Sequence, residues 1–158
     1  MFNNFRILYY IFIIFVSILI ISSALYIEHM LLVPACKLCL YQRVPYLLSV
    51  AVCFFGIFFP DKNIWLYLLV TIFIFSITLS GYHLGIESNI FKEFSGCTNG
   101  NLDITDKNKL LESFNQYLPN CKNVNFKIFG FSLATINFII SIALTAITLK
   151  YLHNEKNT

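Results

Sequence analysis

Charge disappears from the chain in four long runs. Residues 7–27, 44–59, 64–86 and 128–149 contain no Asp, Glu, Lys or Arg. A helix crossing the hydrocarbon core of a bilayer needs about 20 apolar residues, a length the first, third and fourth runs reach unaided. The second is shorter, so its helix is expected to start near Tyr41 and draw Arg43 to the membrane surface. Without water to satisfy backbone groups, only helices and closed barrels span hydrocarbon. A barrel would read as short alternating strands, whereas these runs are continuously apolar. The pattern predicts one all-α domain, a four-helix transmembrane bundle with spans at about residues 7–27, 41–59, 64–86 and 128–149.

An even number of spans puts both termini on one side of the membrane and the connections 28–40 and 87–127 on the other. The remaining connection, residues 60–63, is a polar turn in which Pro60 stops a helix. The first run is longer than the 7–15 apolar residues of a signal-peptide core, so it is read as a retained span. In the long connection Leu110, Leu111, Phe114, Tyr117 and Leu118 recur at helical spacing after Asp103, Thr105 and Asp106. That spacing predicts a short capped amphipathic helix, lying on the membrane or covering the bundle end. The positive-inside rule does not orient the chain. Arg6, Lys62, Lys150 and Lys156 fall on one side, and Lys37, Arg43, Lys92, Lys107, Lys109, Lys122 and Lys127 on the other.

Composition agrees with a membrane protein. Charged residues are 12% of the chain and hydrophobic ones 58%, against about 25% charged in a soluble domain. Too few charges remain to cover a water-facing surface, and the chain is too apolar to be disordered. The net charge of +3 with scattered lysines offers no nucleic-acid footprint.

The chemistry lies in the cysteines. There are five, and four of them, Cys36, Cys39, Cys97 and Cys121, fall in the two connections on one face; only Cys53 lies within a span, where it reads as packing. Cys36 and Cys39 form a C-x-x-C at a loop-to-helix junction, a spacing that allows a reversible disulfide. A thiolate there is favoured by the helix N-terminus and by the nearby cations Lys37 and Arg43. The same residues also suit a fixed disulfide or half a zinc site. Bridged to each other, Cys97 and Cys121 would add about 3 kcal/mol through loop entropy; as a redox pair they would sit where a soluble partner can reach them. A four-cysteine zinc site draws on two closely spaced pairs, and only one exists here. His83, about one turn inside the third span, is a candidate site residue because histidine within a span is costly; the alternative is a histidine bonded within the bundle. Gly81 and Gly85 suggest close helix packing. Glu28 and His29 mark the membrane boundary and are given no role.

Four stretches in order resemble one family. Residues 33–46 (VPACKLCLYQRVPY) are similar to the signature of the DsbB family, membrane quinone-dependent thiol oxidases. Residues 81–87 (GYHLGIE) resemble the end of that family's third span, residues 96–98 (GCT) the start of its second cysteine loop, and residues 129–137 (FGFSLATIN) the entry to its fourth span. The chain departs at Ala35, where the family usually has proline directly before the first cysteine, and at Asn125 and Phe126, where members often carry an aromatic residue.

The resemblance implies a multi-pass protein of the bacterial inner membrane, with both cysteine loops periplasmic and both termini cytoplasmic. It implies electron transfer from a reduced periplasmic DsbA-like oxidase to a membrane quinone, ubiquinone or menaquinone. Carried over residue by residue, Cys97 would form the mixed disulfide with the partner and Cys121 would pair with it. Cys36 would exchange with the loop pair, and Cys39 would face the quinone. Arg43 would sit at the quinone head group, with His83 a further candidate there. DsbA is strongly oxidising, at about −120 mV, so its reoxidation requires a still better acceptor. The rival enzyme, a vitamin K epoxide reductase-like quinone reductase, tends to carry its C-x-x-C at the last helix of the bundle. The other rivals are an assembly protein with fixed loop disulfides and a metal-binding membrane protein.

Overall fold

In the computed structural model, which describes residues 2–60, 62–92, 121, 127–128 and 130–156, the apolar runs form helices. These are α1 (Phe2–His29), α2 (Lys37–Tyr41), α3 (Val44–Phe58), α4 (Ile64–Glu87) and α5 (Leu133–Lys156), with a two-residue hairpin, β1 (Lys127–Ile128) and β2 (Phe131–Ser132), before α5. Among the described residues, four helical stretches are long and apolar enough to cross a membrane: Asn4–His29, Lys37–Phe58, Ile64–Glu87 and Leu133–Glu155. The expected amphipathic helix after Asp103 lies outside the described residues.

Around an apolar core that includes Tyr10, Ile13, Leu66, Leu69 and Phe73, the bundle also buries small polar side chains and turns large apolar ones outward. Phe5, Leu8, Phe12, Phe15 and Leu19 form an exposed stripe along α1, while Ser17, Ser49, Ser76, Ser80, Ser141 and Thr148 are fully buried. Hydrocarbon gives large apolar side chains no reason to turn inward, so association relies on close packing and interhelical hydrogen bonds. Ser17 meets Ser49 at 2.9 Å between α1 and α3, and Ser76 meets Ser141 at 2.8 Å between α4 and α5. At Gly56 an added Cβ would lie 3.0 Å from the buried Tyr10 ring, so glycine lets α3 approach α1 there.

Helices α1, α3, α4 and α5 pack in sequence order, and α1 meets α5 firmly at the end carrying the termini. There the Tyr9 hydroxyl donates to Thr148 Oγ1 at 2.7 Å, and the Tyr9 and Tyr151 rings stack at 4.5 Å. Arg6 binds Glu155, the Pro60 carbonyl and Asn63, joining α1, the polar turn and α5.

Two local devices shape the cysteine end. The second span's helical course begins at Lys37, earlier than Tyr41, and breaks between α2 and α3. Pro45 lacks the N–H that would reach back to the Tyr41 carbonyl, and the chain turns through Gln42 and Arg43. The fourth span's helix, α5, starts at Leu133 instead of residue 128, because Gly130 adopts φ +86° in the hairpin and Ser132 caps the helix, its Oγ accepting from Thr135 N at 3.1 Å. Helix α4 stops in a Schellman motif: Asn89 is left-handed at φ 59°, Asn89 N bonds Ile86 O at 3.0 Å, and Ile90 N bonds Gly85 O at 2.9 Å.

Candidate functional site

The C-x-x-C forms the first turn of α2. Cys36 is its N-cap, with extended φ −70° and ψ 164°, and its sulfur accepts from Cys39 N at 3.3 Å, the part usually taken by Asp or Ser. The Cys36 and Cys39 sulfurs stand 2.9 Å apart as free thiols, Cys36 buried and Cys39 half-buried. The Cys39 thiol hydrogen bond, reinforced by His83, holds the Cys36 thiol well below the usual thiol range, outweighing the opposing effect of burial. Cys36 is therefore the member of the pair poised as a thiolate, the nucleophilic form.

His83 reaches this sulfur from α4. Its Nε2 lies 3.7 Å from Cys36 Sγ and 3.7 Å from Glu87 Oε1, and its Nδ1 lies 3.1 Å from Gln42 Nε2. Cys121, itself disulfide-bonded, is buried against Cys36, Leu38 and Ile86, with Cys39 and Tyr82 beside them. A cysteine of the long connection thus packs directly on the C-x-x-C.

A cavity of about 250 Å³ opens beside these groups, between the separated ends of α1 and α5. Leu19, Ile20, Ala24 and Ile27 of α1 and Ile136 and Ile140 of α5 form apolar walls; Cys36, Cys39, Gln42, Arg43, His83 and Glu87 form the polar end. Arg43 Nη1 binds Glu28 Oε2 at 2.6 Å. The apolar walls and polar end suit an apolar molecule with a hydrogen-bonding head. Among the described residues, Cys36, Cys39 and His83 also offer three metal-ligand atoms within 4.8 Å of one another, where a closed tetrahedral zinc site takes four.

Five of the residues singled out in the sequence, Cys36, Cys39, Arg43, His83 and Cys121, line this cavity. Cys97 lies outside the described residues. Cys53 is buried among apolar residues in a separate cluster. Glu28, Gln42, Asn137 and Glu87 were not singled out. Gln42 and Asn137 carry no charge, so a search for charge-free runs passes over them; a search for amides inside or beside those runs would have found both.

Comparison with known proteins follows the same lines. The model of the family described as disulfide bond formation protein DsbB matches residues 6–151. An uncharacterized protein of Rickettsia prowazekii (strain Madrid E) is 27% identical over 135 residues, covering 82% of this chain and 77% of its own length. With the family match running from α1 into α5, the chain belongs to the DsbB family and is a multi-pass membrane protein of disulfide bond formation.

Proposed function

We propose that the protein is a quinone-dependent thiol oxidase that reoxidises a DsbA-like partner through two exchanging cysteine pairs. The observation that carries this reading is the packing of the disulfide-bonded Cys121 against the C-x-x-C at the edge of an apolar cavity. In the proposed orientation the cysteine loops face the periplasm and the termini the cytoplasm of a bacterial inner membrane.

Each step is attack of a thiolate on a disulfide, which conserves electron pairs. A thiolate of the reduced partner attacks Cys97 of a Cys97–Cys121 disulfide, and Cys121 leaves as a thiolate. Closure of the partner's own disulfide then releases Cys97, so the partner has lost two electrons and the loop pair has gained them. A loop thiolate attacks Cys36 of the oxidised C-x-x-C and Cys39 leaves; the second loop cysteine then attacks the mixed disulfide, restoring the loop disulfide and releasing Cys36, which passes the electron pair inward. In this scheme Cys36 exchanges with the loop pair and Cys39 is the sulfur towards the quinone, so the two divide the outer and inner halves of the relay.

The cavity residues fit a quinone. Its walls are apolar, and Arg43 stands at the polar end as a donor for a ring oxygen, with His83 lining the same end. When bound, a quinone supplies a two-electron, two-proton acceptor. Arg43 holds the head group and favours negative charge near Cys39, while Glu28 holds Arg43 in place.

The test mixes purified protein in detergent with a reduced DsbA-like oxidase and a ubiquinone analogue, then menaquinone, and follows quinone absorbance. Loss of quinone with wild type and not with Cys39→Ser supports the proposal. No loss with either quinone, from folded wild-type protein, overturns it in favour of fixed loop disulfides.

A further inference from the structure

A line of hydrogen bonds leaves the cysteine pair and runs to the middle of the bundle through three helices. Gln42 Nε2 meets His83 Nδ1 at 3.1 Å, and Gln42 Oε1 accepts from Asn137 Nδ2 at 3.1 Å. Asn137 Oδ1 accepts from the Tyr46 hydroxyl. That hydroxyl also lies 3.2 Å from Ser141 Oγ, which is 2.8 Å from Ser76 Oγ. Gln42 and Tyr46 are buried, as are both serines.

We propose that Gln42 and Asn137 are positioning residues that hold His83 as the tautomer with its proton on Nε2, directed at the Cys36 sulfur. A ring nitrogen facing an amide N–H must accept, so the single proton of neutral His83 resides on the other nitrogen. That nitrogen lies 3.7 Å from Cys36 Sγ. Reversing the Gln42 amide alone would turn its NH₂ towards the Asn137 NH₂, setting donor against donor in a buried site. As the amides stand, Asn137 accepts from the Tyr46 hydroxyl, and the run of donors through Asn137 and Gln42 ends on the His83 Nδ1 lone pair. Reversing both amides together would carry the proton on Nδ1 instead, because a hydroxyl can also accept, and the histidine spectrum separates the two. The opposite tautomer would point a lone pair at Cys36 and favour the protonated thiol.

The charged and titratable groups around His83 are consistent with a donor at Nε2. Glu87 Oε1 lies 3.7 Å away on the same helix, Cys39 adjoins Cys36, and the Cys121 main chain contacts the ring from the long connection. Arg43 and Glu28 line the same cavity. Within the thiol-oxidase reading, on which this role rests, the Nε2 proton stabilises Cys36 as a thiolate when the loop pair releases it.

Two measurements on the full-length reduced protein in lipid nanodiscs test the assignment without using quinone turnover. The first is ¹⁵N NMR of labelled histidine, which reads which ring nitrogen carries the proton; three histidines keep the spectrum simple, and His83→Gln assigns the signal. The second is the pH dependence of Cys36 alkylation, resolved by peptide mass spectrometry, in wild type, Asn137→Leu, Gln42→Met and Tyr46→Phe. The expected result is an Nε2–H His83 in wild type. Asn137→Leu and Gln42→Met should raise the Cys36 midpoint by about one pH unit, and Tyr46→Phe should raise it less. An Nδ1–H tautomer in wild type overturns the proposal, and needs no variant to fold. Unchanged midpoints in folded Asn137→Leu and Gln42→Met also overturn it. If wild type fails to reduce quinone while the tautomer and midpoint shifts are as expected, the thiol-oxidase reading fails and the positioning role stands.

Discussion

Arg43 and Glu28 form an ion pair across the cavity, Nη1 to Oε2 at 2.6 Å, with both side chains largely shielded from solvent. The pair joins the end of α1 to the turn before α3, and it aims a guanidinium that the sequence suggested only as a lone cation. Arg43→Ala removes both the head-group donor and the α1 contact. We expect it to lower kcat/KM for quinone about tenfold or more, a loss of about 1.4 kcal/mol or greater. Glu28→Gln keeps Arg43 but loosens it and should fall between the two. Wild-type quinone kinetics in Arg43→Ala would remove Arg43 from the site.

The Cys36 thiolate carries a pH signature. Its pKa is depressed by the Cys39 and His83 hydrogen bonds, so the deprotonated form persists as pH falls below the unperturbed thiol value of about 8.5 and disappears only on reaching the lower folded-state value. Alkylation of Cys36 in reduced protein should therefore stay fast at pH 6, where an ordinary thiol is almost wholly protonated. His83→Ala should move the midpoint upward. A wild-type midpoint near that of a free thiol would contradict the assignment.

Packing makes a separate prediction. An added Cβ at Gly56 meets the Tyr10 ring at 3.0 Å, and Tyr10 is fully buried with no room to swing away. Gly56→Ala should cost about 1–3 kcal/mol through forced repacking of α1 on α3. At Gly85 an added Cβ would clash with the Phe91 ring, but that ring is half-exposed and can move. Gly85→Ala should be the milder change in thermal unfolding; the reverse order would refute the packing argument.

At the opposite end, Arg6 holds Glu155, Asn63 and the Pro60 carbonyl together. Arg6→Ala leaves a partly buried carboxylate and carbonyl without their donor, which should cost about 2–3 kcal/mol. The fall in Tm should come with unchanged Cys36 alkylation, since the clasp is at the other end of the bundle. Altered Cys36 reactivity would show that the two ends are coupled.

The membrane character of the fold is plain from the sequence because a span requires an unbroken apolar run, and four runs stand out by their lack of charge. The precise helix starts are not, because local rules override hydropathy: Pro45 breaks the second helical stretch, and Gly130 with the Ser132 cap delays α5. The cysteines announce themselves by segregating into the connections. Glu28 does not, since its importance comes from Arg43, brought to it only when α1 packs on α3. Gln42 and Asn137 are similarly silent, because two neutral amides acquire meaning only when α4 brings His83 between them and Cys36.

The central claim, that electrons pass from the loop cysteines to the C-x-x-C, is tested most directly by a single-turnover trap. Fully oxidised protein is mixed with excess reduced DsbA-like oxidase without quinone, quenched with an alkylating agent, and mapped by peptide mass spectrometry. The account predicts label on Cys36 and Cys39 as well as on the loop cysteines, and loss of label from both Cys36 and Cys39 when excess quinone is added before the quench. Label confined to Cys97 and Cys121, with the C-x-x-C still oxidised, would contradict it.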